Sequence, residues 1–221
     1  MDTNTKSDII LDALQELLKT QDLQNISVND IAQKAGVGKG SIYYYFNSKD
    51  AIVDALIERN YKIPLETAKE LAKQKEISPY HRMALIFSAC RNSSQMFSQS
   101  EGTLQKNGMF QTAQSQAYIH QKYLKYLINE LKPYLTEIIQ QEIDEGLIVF
   151  EYPEELAEIV LIVLTVKLDN HIIPSTSQEI ENCIRALITL LEKGTGTQEG
   201  ALNYLTDFET TTKNNNNSNI S

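Results

Sequence analysis

Apolar residues recur at helical spacing along most of this chain of 221 residues. Between residues 7 and 20 they form one stripe with charged and amide side chains opposite, which predicts an amphipathic first helix. The same period of three to four residues returns in most later segments. The only candidate strand is the short run 147–152, which we interpret as a loop between helices. The pattern therefore predicts an all-α protein.

Two short helices joined by a glycine turn are predicted near the N-terminus. Ser27 offers an N-cap oxygen to the first of them, and Gly36 stands where a helix usually ends in a left-handed conformation. The second helix is predicted over residues 38–46, with Ile42 and Phe46 on its inner face. Two helices held at an angle by such a turn form a helix-turn-helix, whose second helix enters the major groove of DNA.

The outward face of that second helix carries groups that can bind DNA. Between residues 33 and 49 there are three lysines and no acidic residue. Residues 43–45 are three consecutive tyrosines, which cannot all face a core because successive helical residues lie about 100° apart. Tyrosine can donate to a phosphate oxygen or contact a thymine methyl, and lysine can reach guanine. Gly38 and Gly40 leave the helix start open to a phosphate.

The segment IAQKAGVGKGSIYYYFNSKDAIVDAL, residues 31–56, resembles the N-terminal domain of the TetR family of bacterial transcriptional regulators. The resemblance covers roughly the first fifth of the chain. It implies a three-helix DNA-binding domain followed by a helical domain for ligand binding and dimerisation. Gly38 departs from the pattern, since serine is common there and would cap the helix. With Gly38, which the open helix start adds, the predicted DNA contacts are those that the resemblance assigns to Ser27, Val28, Lys39, Gly40, Ser41, Tyr43, Tyr44, Tyr45 and Lys49.

We place a domain boundary near residues 61–64. The predicted division is a DNA-binding domain over residues 1–61, a ligand-binding and dimerisation domain over 62–208, and a tail over 209–221 that is disordered by its asparagine-rich composition. Because proline cannot continue a helix, we expect Pro64 to break or restart the fourth helix and Pro133 to begin a new one.

The helix predicted from residue 153 is apolar on almost every face, so it must be covered on both sides. It is too short to span a membrane. We expect it to pair with the last long helix in a four-helix bundle across a two-fold axis, as the resemblance also implies. A homodimer of this kind would read a palindromic DNA operator. The interface candidates are Ile159, Ile162, Val163, Val166, Ile184, Leu187, Ile188 and Leu191.

Methionine, cysteine and aromatic side chains are frequent in the middle of the chain. Most of them belong to a core, but some could line a ligand pocket between helices. The resemblance implies a small-molecule effector, of unknown identity, that shifts the population away from the DNA-binding conformation. By default, we expect the protein to repress transcription and the ligand to relieve that repression. The pocket candidates are Phe87, Cys90, Met96, Phe97, Phe110, Tyr118 and Tyr123.

The charge and the cysteine and histidine content narrow the range of possible functions. A formal net charge of −9 argues against a protein that binds nucleic acid over its whole surface, but allows a local basic patch. The two cysteines lie far apart and the three histidines are scattered, so we expect no metal site, disulfide framework or cofactor. The polar N-terminus resembles no signal peptide, and a cytoplasmic location is expected.

Two rival interpretations stay open. Residues 36–41 superficially suggest a phosphate-binding loop, but the first glycine and the final serine or threonine of that motif are missing. We therefore expect no enzyme. The alternative to a DNA-binding regulator is a helical dimeric interaction protein or sensor whose DNA-binding head is weak or vestigial. Salt-sensitive binding to promoter DNA would distinguish the two.

Overall fold

The computed structural model describes residues 5–98, 113–168, 173 and 175–206. Within these ranges all the regular elements are helices and residues 147–152 form a loop, so the predicted all-α fold class is confirmed. Phe110 and residues 209–221 lie outside the described residues, as do the side chains of Cys90, Met96 and Phe97. The elements are α1 (Lys6–Leu18), α2 (Val28–Ala35), α3 (Lys39–Tyr45), α4 (Lys49–Lys73), α5 (Pro79–Ser98), α6 (Ala113–Asp144), α7 (Pro153–Leu168), α8 (Ser177–Thr195) and a 3-10 helix (Asn203–Leu205).

Local chemistry sets both ends of α2 as predicted. The Ser27 hydroxyl accepts a hydrogen bond from the backbone N–H of Asp30 at 3.2 Å, and the Asp30 carboxylate accepts one from the backbone N–H of Ser27 at 2.8 Å. This capping box satisfies N–H groups that the helix itself cannot. Gly36 ends the helix with φ of +67°, a conformation that only glycine adopts without strain.

The two prolines do not interrupt their helices, so the predicted breaks at Pro64 and Pro133 were wrong. α4 continues through Pro64 and α6 through Pro133. Each proline removes one helical hydrogen bond, which costs about 3 kcal/mol. The flanking turns more than offset that loss, because they bury large apolar side chains worth about 1.5–3 kcal/mol each. These side chains include Leu131 and Leu135 on either side of Pro133.

The chain forms two compact units. The first contains residues 5–63 with 92–98 and 113–127, and the second contains 64–91, 128–168, 173 and 175–206. The first unit therefore includes part of α6, which lies beyond the predicted boundary near residue 61. The division into residues 1–61 and 62–208 stays a prediction.

Each unit has its own apolar core. In the first, α1 to α4 bury Ile10, Leu14, Leu18, Ile31, Ile42, Ile52 and Leu56. In the second, α5 to α8 bury Ile86, Leu135, Ile138, Leu161, Leu164, Ile184, Leu187 and Ile188. The loop after α6 is fastened to the end of α8, because the backbone N–H of Val149 donates to the carbonyl of Thr195 at 2.7 Å.

A search of the described helices reveals none with the length and apolar character that crossing a membrane requires. Among the same described residues, no group of three or more histidine, cysteine, aspartate or glutamate side chains is placed to hold a metal ion.

Candidate functional site

The helix α3 turns its three tyrosines outward. Tyr44 is 83% exposed, Tyr43 50% and Tyr45 42%, whereas Ile42 and Phe46 are buried against the rest of the unit. The two buried side chains fix the helix on its support, and this leaves the aromatic rings on the opposite side. The prediction that at least two tyrosines face away from the core is confirmed.

Contacts along this face hold the exposed rings in a defined arrangement. The ring of Tyr44 meets the edge of Tyr45 at a centroid distance of 4.9 Å, close to a T-shaped geometry. The ammonium of Lys39 lies 5.9 Å from the ring centroid of Tyr43, within reach of a cation–π attraction. The face therefore combines a positive charge with hydroxyl donors and flat apolar rings, the groups that contact phosphates and base edges.

The start of α3 is open. Gly38 occupies its N-cap position without a side-chain cap, as its departure from the family pattern implies. A Cβ added at Gly38 or at Gly40 would meet no atom within 4 Å. The first N–H groups of a helix have no partner within it, and here no side chain of these two residues covers them.

Three of the predicted contact residues already serve the fold. The hydroxyl of Ser27 donates to the Asp30 carboxylate at 2.6 Å, and Val28 is half-buried at the first position of α2. The ammonium of Lys49 donates to the carbonyls of Leu23 at 2.7 Å and Ile26 at 2.9 Å. Lys49 thereby closes the loop between α1 and α2. Ser41 is half-buried within α3.

Arg59 braces α4 against α1, a role that sequence reasoning missed. Its guanidinium donates to the carboxylate of Asp12 at 2.8 Å, to the amide oxygen of Gln15 at 3.0 Å and to the backbone carbonyl of Asp8 at 3.3 Å. The three acceptors lie on successive turns of one helix, so a single side chain spans them. No local motif marks this arginine, because its partners are more than forty residues away.

The described part of α6 in the first unit is tied to the beginning of α4. The Lys122 ammonium donates to Asp50 at 2.8 Å and to Asp54 at 2.7 Å, and the Tyr118 hydroxyl donates to Asp50. Partial burial by itself lowers the pKa of Lys122, but these hydrogen bonds outweigh it and raise the pKa overall. Tyr123 stacks on Tyr61 of α4 at 4.7 Å. The structure thus places Tyr118 and Tyr123, both predicted pocket residues, against α4.

A cavity of about 40 Å³ lies in the second unit. Of the predicted pocket residues whose side chains are described, Phe87 lines it and Tyr118 and Tyr123 do not. Of the other lining residues, Leu191 was predicted for the dimer interface, and most of the rest have the spacing of an ordinary core. The lining residues are Met83, Phe87, Leu135, Ile139, Glu142, Ile148, Leu156, Val160, Leu191, Thr195, Thr197, Leu202, Tyr204 and Leu205.

Glu142 is the acidic residue in this apolar lining. Its side chain is 3% exposed, and its Oε1 atom has no hydrogen-bond partner among the described residues. Burial raises the pKa of Glu142 to about 8, although the nearby Arg82 guanidinium acts in the opposite direction. At neutral pH the carboxyl group is therefore largely protonated.

The residues predicted for a dimer interface fall into two sets. Ile159 and Ile162 are exposed on α7, and Val163, Val166 and Leu191 are half-buried. Ile184, Leu187 and Ile188 are instead buried within the core of the second unit. Leu190 of α8, which the prediction omitted, is 71% exposed.

Comparison with known proteins adds two family matches. The family model for bacterial regulatory proteins of the tetR family matches residues 10–56, and the model for the tetracyclin repressor-like C-terminal domain matches residues 101–188. The first match contains all of α2 and α3.

Individual relatives match over different lengths. The chain is 33% identical over 144 residues to the fatty acid metabolism regulator protein of Bacillus subtilis, which covers 62% of this chain and 71% of that protein. It is 43% identical over 49 residues to the HTH-type transcriptional regulator YxbF and 39% over 56 residues to YvdT, both of B. subtilis. These two matches cover 22% and 25% of this chain but only 13% and 29% of the relatives.

Solved structures share the fold across nearly the whole chain. SmeT, the repressor of a Stenotrophomonas maltophilia multidrug efflux pump, superposes with a TM-score of 0.56 over 91% of this chain and 95% of its own, at 15% identity. A gamma-butyrolactone receptor superposes with a TM-score of 0.54 over 90% of this chain and 92% of its own, at 14% identity. Identities this low establish a common fold alone.

Proposed function

The chain belongs to the TetR family of bacterial transcriptional regulators, and we propose that it is a repressor that binds a palindromic DNA operator as a homodimer and is released by a small-molecule effector. Regulators of this family bind DNA, act as dimers and bind small molecules. For this chain, the observation that carries the proposal is the outward face of α3, with its lysine and three exposed tyrosines above two buried anchors.

The recognition face is defined as Lys39, Tyr43, Tyr44 and Tyr45. In the proposal Lys39 and the first two tyrosines contact base edges, and Tyr45 donates to a phosphate. Lys49 has two N–H donors engaged by the loop carbonyls, and its remaining donor would reach a phosphate without breaking that loop.

Homodimerisation would bring two recognition faces to one operator. The exposed apolar side chains of Ile159, Ile162 and Leu190 on α7 and α8 form the surface that we assign to the dimer interface. Burial of Ile184, Leu187 and Ile188 within a single chain removes them from the centre of that surface. A two-fold dimer would place the recognition helices about 34–36 Å apart, one turn of B-DNA.

Release by the effector requires a connection to α3. Lys122 binds Asp50 and Asp54 in the first two turns of α4, directly after the loop that follows α3. A ligand that displaces α6 would pull on these two carboxylates and shift the DNA-binding population. We propose that the protein represses transcription and that the ligand relieves this repression. A cytoplasmic location and the absence of enzymatic activity remain predictions.

Fluorescence anisotropy with DNA from the promoter region of the protein's own gene, at two salt concentrations, tests the proposal. We expect specific binding that weakens steeply with salt. Lys39→Ala should reduce affinity about tenfold and lower the salt slope by about one, and Tyr44→Ala should reduce affinity similarly.

Matched controls are available on exposed loops. Lys75→Ala and Tyr152→Ala remove the same side-chain types where they are exposed and lie outside α3. Both should bind DNA as the unaltered protein does. Salt-insensitive binding, or no binding to any promoter fragment, would reject the regulator and favour a protein that acts through protein partners.

A further inference from the structure

Glu142 is buried at a cavity whose other walls are almost entirely apolar. It lies on α6, its side chain is 3% exposed, and the neighbouring lining residues include Phe87, Leu135 and Val160. A carboxyl group in such surroundings is strongly disfavoured unless hydrogen bonds or an opposite charge compensate for its lost hydration. Its Oε1 atom has no hydrogen-bond partner within the described part of the chain, and the nearby charge of Arg82 compensates for only part of the lost hydration.

Most of the polar groups near Glu142 make hydrogen bonds to other acceptors. Arg82 is fully buried, but its guanidinium donates to the carbonyl of Ala72 at 2.8 Å and to the amide oxygen of Gln141. The hydroxyls of Thr195 and Thr197 bind each other at 2.6 Å. The Nε–H of Arg82 is buried without a partner among the described residues, but the Arg82 charge does not suffice to keep Glu142 ionised at neutral pH. The cavity beside Glu142 is the place from which a further donor could come.

We propose that this cavity binds the ammonium group of a small organic amine, with Glu142 as the counter-ion and Phe87, Leu135 and Val160 against its alkyl part. That such an amine is the effector rests on the function proposed above. The cavity of about 40 Å³ is roughly three times the 10–15 Å³ that a single water needs, so it suits a short amine or the head of a longer one.

An ammonium group fits this environment better than the two obvious alternatives. A hydroxyl group could donate one hydrogen bond to Oε1, but it brings no positive charge that would stabilise the ionised form of Glu142. A carboxylate ligand would bring a second negative charge to a site where Glu142 and Glu145 already lie close to each other. The aromatic ring of Tyr204 adds a surface that favours a cation.

Binding should release a proton. Glu142 is largely protonated at pH 7 in the empty cavity, since burial raises its pKa to about 8, the Arg82 charge opposes that rise and Glu145 adds to it. The phenols of Tyr80 and Tyr204 also lie near this carboxyl group and stay protonated, because burial and the Glu142 charge raise their pKa. Pairing converts the carboxyl group and RNH₃⁺ into a carboxylate–ammonium pair and one free H⁺. Amine affinity should therefore rise about tenfold per unit up to about pH 7 and level off above pH 8.

Isothermal titration calorimetry of the full chain tests the proposal with propylamine, propan-1-ol and propionate, which are close in size and differ in charge. At pH 7, in two buffers of different ionisation enthalpy, we expect propylamine to bind at least tenfold more tightly than the other two, with release of about one proton. Glu142→Gln should abolish both the preference and the proton release. Glu137→Gln, an exposed position on the same helix, should alter neither.

Folding of each variant is checked by circular dichroism. With folded protein, equal or tighter binding of the alcohol or the carboxylate would overturn the proposal. The same holds for a failure of all three probes to bind, or for unchanged proton release in Glu142→Gln.

A parallel titration of labelled promoter DNA separates this inference from the proposed function. Amine binding at Glu142 by a protein that binds no promoter fragment would reject the regulator and leave the amine site standing. DNA binding without amine binding would support the regulator and overturn the amine site. Amine binding that leaves DNA affinity unchanged would overturn the effector role.

Discussion

Individual residues decide how the recognition face is supported. Gly36 has a positive φ at the turn between α2 and α3, whereas Gly40 lies inside α3, and an added Cβ would meet nothing within 4 Å at either position. Backbone conformation, and not the space for a side chain, therefore decides how an alanine at each position changes stability. A left-handed conformation disfavours alanine by about 1–2 kcal/mol, and a helical one favours it over glycine by about 1 kcal/mol.

The two glycines should respond to alanine in opposite directions. We expect Gly36→Ala to lower the free energy of unfolding by about 1–2 kcal/mol and Gly40→Ala to raise it by up to about 1 kcal/mol. Urea denaturation followed by circular dichroism measures both. Equal destabilisation by the two variants would show that space, and not backbone conformation, governs this turn.

The buried carboxyl group of Glu142 makes stability depend on pH. Its pKa rises from an ordinary 4.5 to about 8 on folding. Below about pH 4.5 the group is therefore protonated in both states and does not lower the free energy of unfolding. Between pH 4.5 and 8 the unfolded chain ionises first, and stability falls as pH increases. Glu142→Gln should lie within about 1 kcal/mol of the unaltered protein near pH 5 and exceed it by on the order of 5 kcal/mol at pH 9.

Denaturation curves at pH 5, 7 and 9 check that expectation. Glu137→Gln, exposed on the same helix, should follow the unaltered protein at every pH. A constant difference between Glu142→Gln and the unaltered protein across the range would show that Glu142 is not neutral in the folded chain.

At the scale of elements, α6 connects to α4 through a compact ionic cluster. Lys122 reaches two carboxylates one turn apart, while Tyr118 and Tyr123 contact the same helix. The lysine side chain is only 20% exposed, whereas both carboxylates are more than half exposed, so solvent screens part of the attraction. The cluster contributes to positioning more than to stability.

Lys122→Met should therefore affect DNA binding more than folding. We expect a loss of about 0.5–1 kcal/mol in stability and a three- to tenfold loss in promoter affinity, because α4 no longer holds α3 in one orientation. Lys132→Met is the matched control, since Lys132 of α6 binds Glu154 at 2.9 Å and Glu158 at 3.1 Å on α7. Equal loss of DNA affinity in both variants would contradict a specific role for Lys122.

These elements show which features a sequence can reveal. Helix caps depend on residues three positions apart, so Ser27 and Gly36 were predictable from local rules. Whether Pro64 interrupts α4 depends on distant packing, and so the predicted break failed. The exposure of residues 43–45 follows from helical spacing, but the contact of Tyr118 with Asp50 joins residues 68 apart and has no local signal.

At the scale of the whole molecule, apolar side chains on α7 and α8 remain exposed in the single chain. Ile159, Ile162 and Leu190 are 52%, 43% and 71% exposed, on two helices that pack together in the second unit. In the proposed homodimer a second copy covers them. Burial of such side chains contributes about 25 cal/mol per Å² of apolar surface, which favours association.

Leu190→Glu should convert the dimer into a monomer and greatly weaken operator binding, because a charge buried at the two-fold interface would lack a partner. Multi-angle light scattering after size-exclusion chromatography gives the mass directly. Val149→Glu introduces the same charge at an exposed loop position and should stay dimeric. A monomeric unaltered protein would contradict the proposed assembly.

In the proposed complex, α3 of each protomer enters the major groove, so one operator holds two recognition helices. Hydroxyl-radical footprinting of the unaltered protein on its promoter DNA tests this most directly. We predict two protected patches related by a two-fold axis, with their centres about 10–10.5 base pairs apart or at a multiple of that spacing, and both absent with Lys39→Ala/Tyr44→Ala. A single patch, or a footprint that survives the double substitution, would contradict it.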